Sequence, residues 1–283
     1  MTLLHEQCIL TTITPMSNAR ATSAPDVLTV AAIAIVAYVF ASINHEGLGH
    51  GGACLLTGGH PIALSTVHFE CDGEGRLVDA GGTIANFTAG LVFWLASRMA
   101  VHSTRLRYFL WLSMTVNFLQ AGGYFLFSGV GNIGDWAMVI QGLKPSWLWR
   151  IGLIILGVCS YILFVWIALL ELRPFVGKNY PERLQRAKKL CLVPYFTGGI
   201  LSCIAGMFNP VGLILVAVSA AAASFGGTSG LAWIWQFFRG DRVPAIPFEM
   251  PPLSRSRAWM IAAGILGVLF VAVLGPGLKF HRG

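Results

Sequence analysis

The residues best suited to chemistry in this sequence are His45, Glu46 and His50, in the segment HEGLGH. Imidazole nitrogens are good zinc ligands, and two of them on one helix are a common way to hold the ion. In motifs of this type, a glutamate beside the first histidine acts as general base toward water activated by the metal. The segment therefore predicts a metal centre with His45 and His50 as ligands and Glu46 as catalytic base.

The spacing of the two histidines sets a condition on the local backbone. The usual motif places its histidines four residues apart, which is about 40° around an α-helix. His45 and His50 are five residues apart, and on a regular helix they diverge by about 140°. A π-helical turn, whose hydrogen bonds span five residues, would bring them onto one face. Gly47 and Gly49 make such a distortion easier, so the sequence predicts a π-bulge here.

A third protein ligand is expected, because catalytic zinc sites usually have three. Asp135 is the first candidate, since it lies in the glycine-rich segment SGVGNIGDW. Non-helical backbone at membrane depth is tolerated only where it lines a protein cavity. The alternative is that Asp135 caps a short helix beginning at Trp136. Four further candidates lie closer to the motif in sequence: His60, His68, Glu70 and Asp79.

The two histidines also have a purely structural interpretation. His45 and His50 could be buried packing residues that hydrogen-bond to neighbours, with Glu46 paired to an arginine. Burying a His-Glu-His cluster at membrane depth is costly, and intramembrane ionisable residues usually mark functional sites. This cost favours the metal-binding interpretation.

Asn86, in the segment GGTIAN, is the second candidate catalytic residue. Its amide could donate a hydrogen bond to an oxyanion that develops during hydrolysis. Alternatively, Gly82 and Asn86 form the small-xxx-small pattern with which membrane helices pack closely. The residues alone leave both interpretations open.

The elements that position these residues are predicted to be membrane helices. The 283 residues are 55% hydrophobic and 11% charged, with a mean hydropathy of +0.70, whereas soluble domains are about 25% charged. A spanning helix needs about 20 apolar residues, and the sequence predicts an all-α polytopic membrane protein with about seven. They begin near residue 27 and continue at 81–101, 106–128, 147–170, 192–208, 211–238 and 258–274. The fifth and sixth could instead form a re-entrant pair, and the sixth could break at Gly226-Gly227.

Three regions are expected along the chain: an N-terminal tail at 1–25, a membrane core at 26–145, and additional membrane helices at 146–283. The last region includes a basic loop at 171–190. Within the core, the runs IALSTVHFE and RLVDA flank the turn CDGEG, which predicts a β-hairpin at 62–80. A sheet edge cannot face lipid, so the hairpin should lie at the interface or in a protein-lined cavity.

The basic residues predict an orientation. With seven spans, fourteen Lys and Arg residues fall on the side of the N-terminus and five on the other side. The positive-inside rule then places the N-terminus in the cytoplasm. Because the basic residues lie between apolar spans, the net charge of +7 indicates lipid headgroups rather than nucleic acid as partner. The six cysteines show no paired spacing and are expected to be small core residues.

In order along the chain, the segments HEGLGH, DGEG, GGTIAN and GNIGDW resemble the site-2 protease family of intramembrane zinc metalloproteases. The resemblance covers about residues 30 to 140, half of the chain. It implies that His45, His50 and Asp135 are the ligands of Zn²⁺. It also implies that Glu46 is the base and that Asn86 is a partner of the transition state.

The function implied is a zinc-dependent intramembrane peptidase, which hydrolyses a peptide bond in or near a membrane span of a protein or peptide substrate. An unwound substrate segment could be captured by strand addition at the hairpin edge. The alternative is a non-enzymatic metal-binding membrane protein, either a scaffold or a transporter. A third possibility is a membrane hydrolase of another bond, such as that of an amide lipid. A transporter would spread polar residues over several spans, whereas the last four are nearly featureless.

Overall fold

The computed structural model describes residues 24–73, 75–100, 103–210, 212, 216–240 and 248–280. The predicted N-terminal tail lies outside these residues except for its last two positions. The first helical stretch begins at Asp26, whose carboxylate accepts the backbone N–H of Thr29 at 2.8 Å. It runs as helix α1 (Val27–Ile43), then as a π-helical segment (Asn44–Gly51), and ends as helix α2 (Gly52–Leu56).

The remaining helical elements mostly overlap the predicted spans, but the helix predicted at 192–208 begins ten residues earlier, and a short helix at 135–139 lies outside every predicted span. They are α3 (Arg76–Met99), α4 (Thr104–Gly131), α5 (Asp135–Val139), α6 (Ser146–Val176), α7 (Glu182–Met207), a second π-helical segment (Val216–Gly227), α8 (Gly230–Trp233), a 3₁₀ turn (Ile234–Phe238), α9 (Arg257–Leu269) and its π-helical end (Phe270–Leu274). The interruption predicted at Gly226-Gly227 is confirmed, because the second π-helical segment ends at Gly227.

Four of the helical stretches are long and apolar enough to cross a membrane, which is consistent with a membrane protein. They are Val27–Leu56, Ser146–Val176, Glu182–Met207 and Arg257–Leu274. α4 is the central helix and packs against α1, α3 and α6. It carries fully buried polar side chains such as Asn117 and supplies much of the main hydrophobic cluster, including Trp111 and Leu119.

A small three-stranded sheet interrupts the helices, in the order β2-β1-β3. β1 (Pro61–Leu64) pairs antiparallel with β2 (Phe69–Cys71), with a bulge between Pro61 and Ala63, and on its other side with β3 (Leu278–Lys279). The hairpin is therefore confirmed between the first and second predicted spans, but it is completed by β3, a strand more than 200 residues later in the chain.

The predicted position of the hairpin turn was wrong. The turn lies at Ser65–His68, where the Ser65 hydroxyl accepts the backbone N–H of His68 at 3.0 Å. Residues 76–80, expected to be the second strand, form the first turns of α3. A helix pairs its own backbone N–H and C=O groups. Extending α3 from Gly81 back to Arg76 therefore costs less free energy in an apolar environment than forming a strand whose backbone groups need a partner.

Two of the cysteines are paired, contrary to the prediction that all are small core residues. Cys54 in α2 and Cys71 in β2 form a disulfide, with Cα atoms 6.1 Å apart. Their separation of 17 residues is no recognised motif, but the hairpin folds back onto the end of α2 and brings them together. Cys159, Cys191 and Cys203 are free.

The basic segment 171–190 was predicted to be a loop and is mostly helical. α6 extends to Val176 and α7 begins at Glu182, so five residues separate the two helices. The Arg183 guanidinium donates to the carbonyls of Phe238 and Lys178, and Arg186 pairs with Glu249 at 3.1 Å. These hydrogen bonds and this ion pair of buried arginines connect α7 to neighbouring segments, and they stabilise the ordered structure of residues 171–190.

Contacts between distant segments define two ends of the bundle. At one end, the Asp26 backbone N–H donates to Leu253 and the Met250 N–H donates to Pro174. At the other end, hereafter the site end, the Thr66 N–H donates to the carbonyl of Leu274, and β1 pairs with β3. The segment before α1 and the segment after α9 therefore lie at opposite ends.

Candidate metal centre

The predicted distortion of the motif helix is confirmed. Asn44–Gly51, the segment that contains HEGLGH, is π-helical, and regular α-helix precedes and follows it. Hydrogen bonds that span five residues place His45 and His50 on the same face. Their rings meet edge to face with centroids 4.9 Å apart.

Three donor atoms converge at the site end of the bundle. His45 Nε2 and His50 Nε2 are 3.3 Å apart, and the Asp135 carboxylate oxygen Oδ2 lies 3.2 Å from the first and 3.6 Å from the second. An ion with bonds of about 2.0–2.2 Å and tetrahedral angles has ligand atoms about 3.3–3.6 Å apart. The triangle therefore has the dimensions of three corners of such a site, and the group could hold a metal ion.

The surroundings of Asp135 also fit a cation. Its Oδ2 atom is buried and has no hydrogen-bond donor among the described residues, with the two imidazole nitrogens as its nearest partners. A buried carboxylate oxygen without donors is costly unless a cation or a protonated group faces it. Imidazole nitrogens and carboxylate oxygens are both ligands of divalent metal ions.

Each histidine is held through the nitrogen that faces away from the centre. His50 Nδ1 lies 2.7 Å from the carbonyl of Val78 in α3. That carbonyl can only accept, so Nδ1 carries the proton, and in the neutral ring Nε2 keeps its lone pair for a metal. His45 Nδ1 lies 3.1 Å from the amide nitrogen of Asn86, and the Tyr124 ring stacks on the imidazole with ring centroids 4.6 Å apart. Contacts of this kind fix ring orientation in metal sites.

Glycines allow α3 to approach the motif this closely. A Cβ atom on Gly82 would lie 2.5 Å from His45 Nε2 and 2.6 Å from His50 Nε2. A Cβ on Gly49 would lie 2.6 Å from the Cα atom of Gly82. The packing interpretation of the GGTIAN segment is therefore supported, since its glycines let the two backbones touch beside the histidines.

A short loop between α4 and α5 positions the Asp135 carboxylate beside the histidines. α4 ends at Gly131, and the chain turns through Asn132 and Gly134, both with positive φ, before α5 begins at Asp135. Gly134 has φ +83°, a conformation that favours glycine. The alternative prediction, that Asp135 caps a helix beginning at Trp136, was wrong. The helix begins at Asp135 itself, and the Asp135 carboxylate lies beside the histidines.

Glu46 lies next to the metal-binding group and faces a small cavity. It is 6% exposed, and with His45 it lines a space of about 30 Å³ whose other walls include Ser42 and Thr66. A water molecule needs about 10–15 Å³ of such space. None of the ion pairs among the described residues includes Glu46, so the predicted alternative, in which an arginine neutralises it, is not observed.

Asn86 occupies a different position from the one its predicted role requires. It is fully buried, it is not among the residues lining the Glu46 cavity, and its amide contacts His45 and Gln120. It also accepts a hydrogen bond from Asn44, which donates in turn to Asn117. The structure thus places Asn86 behind His45, in a buried amide network, and its action on an oxyanion stays a prediction.

The other candidate ligands are not part of the metal-binding group. His60 is exposed and pairs with Asp72 at 3.3 Å, and His68 and Glu70 are exposed side chains of the hairpin. Asp79 is partly buried in α3. Within the described residues, the group of His45, His50 and Asp135 alone meets the geometric requirement for a metal site.

Sequence reasoning missed the residues of α4 that complete the site. Asn117, Gln120 and Tyr124 lie on one face of that helix at intervals of three and four residues. Polar side chains at this spacing in an apolar helix are the signal that could have revealed them. The hairpin was also expected to offer an edge to a substrate strand; β1 is paired on both sides, so of the two hairpin strands β2 lies at the edge of the sheet, and its use by a substrate stays a prediction.

Comparison with known proteins adds no relative. No protein-family model matches the sequence, and no curated protein or solved structure matches the chain. The function is therefore argued from the geometry of the site.

Proposed function

We propose that this chain is a zinc-dependent peptidase embedded in the membrane, which hydrolyses a peptide bond in or near a membrane span of its substrate. The observation that carries the proposal is the convergence of His45, His50 and Asp135 to separations of 3.2–3.6 Å, beside the buried Glu46. Three protein ligands leave the fourth position of a tetrahedral ion open, as catalytic zinc sites require.

Zinc, when bound, would polarise the substrate carbonyl and lower the pKa of a water molecule to about 7. The protein's part is then proton transfer. The Glu46 carboxylate accepts a proton from the water that attacks the carbonyl carbon, and it delivers a proton to the leaving amine nitrogen as the C–N bond breaks. The cavity of about 30 Å³ beside Glu46 has room for that water.

Several residues act by positioning the ligands. The Val78 carbonyl fixes the protonated nitrogen of His50, and Asn86 and Tyr124 orient the ring of His45. Outer contacts of this type typically change metal affinity 10–100-fold when they are removed. Asn86 is therefore a positioning residue, and Glu46 is the general base and acid that transfers protons.

We further propose that the chain crosses the membrane seven times, with the metal centre near the outer face. His45 follows Val27 by 18 residues, about 27 Å along a helix that must cross a core of about 30 Å. Most described basic residues lie toward the other end, which favours that end as cytoplasmic. The Cys54–Cys71 disulfide at the site end supports the same orientation, because disulfides persist in oxidising compartments.

A metal-binding scaffold or transporter would use the same three ligands and is the competing function. Glu46 distinguishes the peptidase from a metal-binding scaffold, because a purely structural site has no need of a buried carboxylate beside its metal. Burial of an unpaired acid is costly and is expected where chemistry requires it.

The test is the Glu46→Gln variant, purified and reconstituted with a pool of single-span peptides whose fragments are identified by mass spectrometry. Wild type should release fragments, and the variant should release none while retaining one zinc per chain. Equal fragment yields from the variant would exclude Glu46 as the base. A wild type that binds zinc but releases no fragment would favour the scaffold or transporter.

A further inference from the structure

A second, larger cavity adjoins the one at Glu46. It has a volume of about 250 Å³ and lies between α4, α6 and the second π-helical segment. The two cavities share Gln120, Tyr124 and Ala223 as wall residues. Since Tyr124 stacks on the ring of His45, the larger cavity begins one side chain away from the candidate metal centre.

The walls of this cavity suit an apolar group. They consist of small and apolar residues with a few polar groups at the margins, which is the usual character of ligand pockets. The apolar and small members are Gly123, Leu126, Phe127, Ala222, Ala223, Gly226 and Gly227. The alanines and glycines of the π-helical segment leave the space that larger residues would fill.

A network at Tyr161 keeps this wall in place. Its hydroxyl lies 2.9 Å from the Gly227 carbonyl, to which it donates, and accepts the backbone N–H of Gly230 at 2.8 Å. These bonds join α6 to the end of the π-helical segment. Gly226 is exposed, so the cavity reaches the surface of the bundle there. The cavity is thus a fixed pocket with an inner end near the metal centre and an outer opening.

The volume indicates what the pocket can take. A cavity of about 150 Å³ lined by apolar residues can bind benzene. A pocket of about 250 Å³ therefore accommodates one aromatic or large aliphatic side chain. A whole substrate helix, about 10–12 Å across, is far too wide for it.

We infer that this cavity is the specificity pocket, and that it receives an aromatic or large aliphatic side chain of the substrate next to the scissile bond. The inference rests on the proposed function, since it assumes a substrate carbonyl at the metal centre. Its own support is the continuity of the two cavities through Tyr124 and Ala223, together with the size and apolar walls of the larger one.

The experiment uses peptide hydroxamates, which bind zinc through two oxygens, with glycine, leucine or phenylalanine beside the zinc-binding group. Their dissociation constants for the zinc-loaded, detergent-solubilised full chain are measured from ligand-induced thermal stabilisation. Burial of a Leu or Phe side chain predicts binding tighter than that of the glycine compound by on the order of ten-fold or more.

Ala222 lines this pocket and is not among the residues that line the Glu46 cavity, so Ala222→Leu fills the pocket from its own wall. It should abolish the preference for the large side chains and leave the affinity for the glycine compound unchanged. Ala221→Leu is the matched control, one residue earlier in the same π-helical segment and outside the pocket lining. It should keep the preference. The compound series on wild type remains a test if Ala222→Leu does not fold.

The outcomes separate this inference from the proposed function. If even the glycine compound fails to bind the zinc-loaded protein, the proposed metal centre fails and the pocket fails with it. If all three compounds bind equally well to wild type, only the pocket is overturned. Equal loss of the preference in both variants also overturns the pocket, because a general disturbance of the helix would then explain it.

Discussion

His50 Nε2 lies 3.3 Å from His45 Nε2, although five residues separate the two histidines along the chain. On a regular α-helix their directions would differ by about 140°. The π-helical segment Asn44–Gly51 removes that divergence. The extra residue in the motif is therefore compatible with a shared ion.

Replacement of a ligand should remove the metal. The wild-type protein should carry one zinc per chain, and His45→Ala and His50→Ala should each carry almost none, because two remaining ligands bind zinc weakly. Metal content is measured by inductively coupled plasma mass spectrometry on purified protein. His60→Ala is the control, since His60 is exposed and pairs with Asp72. Full zinc content in either ligand variant would contradict the assigned site.

Loss of the Asn86 amide should weaken metal binding although all three ligands remain. Asn86→Ala frees the ring of His45, and zinc affinity should fall by about 10–100-fold. Competition against a chelator of known affinity gives the value. Thr88→Ala is the matched control, because Thr88 lies on the same helix with an exposed side chain. Unchanged affinity in Asn86→Ala would show that the amide does not position His45.

A methyl group at the contact between α3 and the motif should destabilise the fold. In Gly49→Ala the new Cβ would lie 2.6 Å from the Gly82 Cα atom, and the two backbones must separate. We expect a loss of about 1–3 kcal/mol, seen as a lower midpoint of thermal unfolding, together with reduced zinc content. Gly52→Ala serves as control, because a Cβ at Gly52 has no atom within 4 Å. A similar midpoint in both variants would argue against the close contact.

Reduction of the disulfide should loosen the hairpin that covers the site end. A bond closing a loop of about 17 residues contributes about 3 kcal/mol, so Cys54→Ser or added reductant should lower the unfolding midpoint. Maleimide labelling in intact cells tests the orientation at the same time. Cys54 and Cys71 should resist labelling until a reductant is added. Free thiols at both positions in untreated cells would place the site end in a reducing compartment.

Acidification should release the metal. Zinc binds neutral imidazole, whose ordinary pKa is about 6.5, so protons compete with the ion as the pH falls. Zinc content after dialysis should be constant at neutral pH and should decrease as the solution is made more acidic. Retention of all zinc at pH 4 would indicate that the histidines are not the ligands.

Much of the fold was predictable because its signals are local. Hydrophobic runs of the length of a membrane located the long helices, and the five-residue interval of the histidines required the π-helical turn that the structure contains. Asp135 was identified from the glycines around it, one of which adopts the positive φ that turns the chain toward the histidines. These features depend on backbone preferences within a few residues.

The misplaced hairpin turn shows where local signals fail. The DG dipeptide at Asp72-Gly73 is a strong turn signal, yet the chain turns earlier, at Ser65–His68. β1 is completed by β3, more than 200 residues later in the chain. A pairing at that distance depends on which ends of the helices meet, and the pattern of either strand alone does not contain it.

The sequence by itself determined the chemistry available: two imidazoles, a neighbouring carboxylate and a distant aspartate, in a predominantly apolar chain. The tertiary structure decided the assignment of roles. Packing of α3 against the motif turned Asn86 toward His45, and packing of α4 added Tyr124 and a pocket beside it. The reason is physical: residue types set which bonds can form, whereas distances between remote segments follow from how the helices pack.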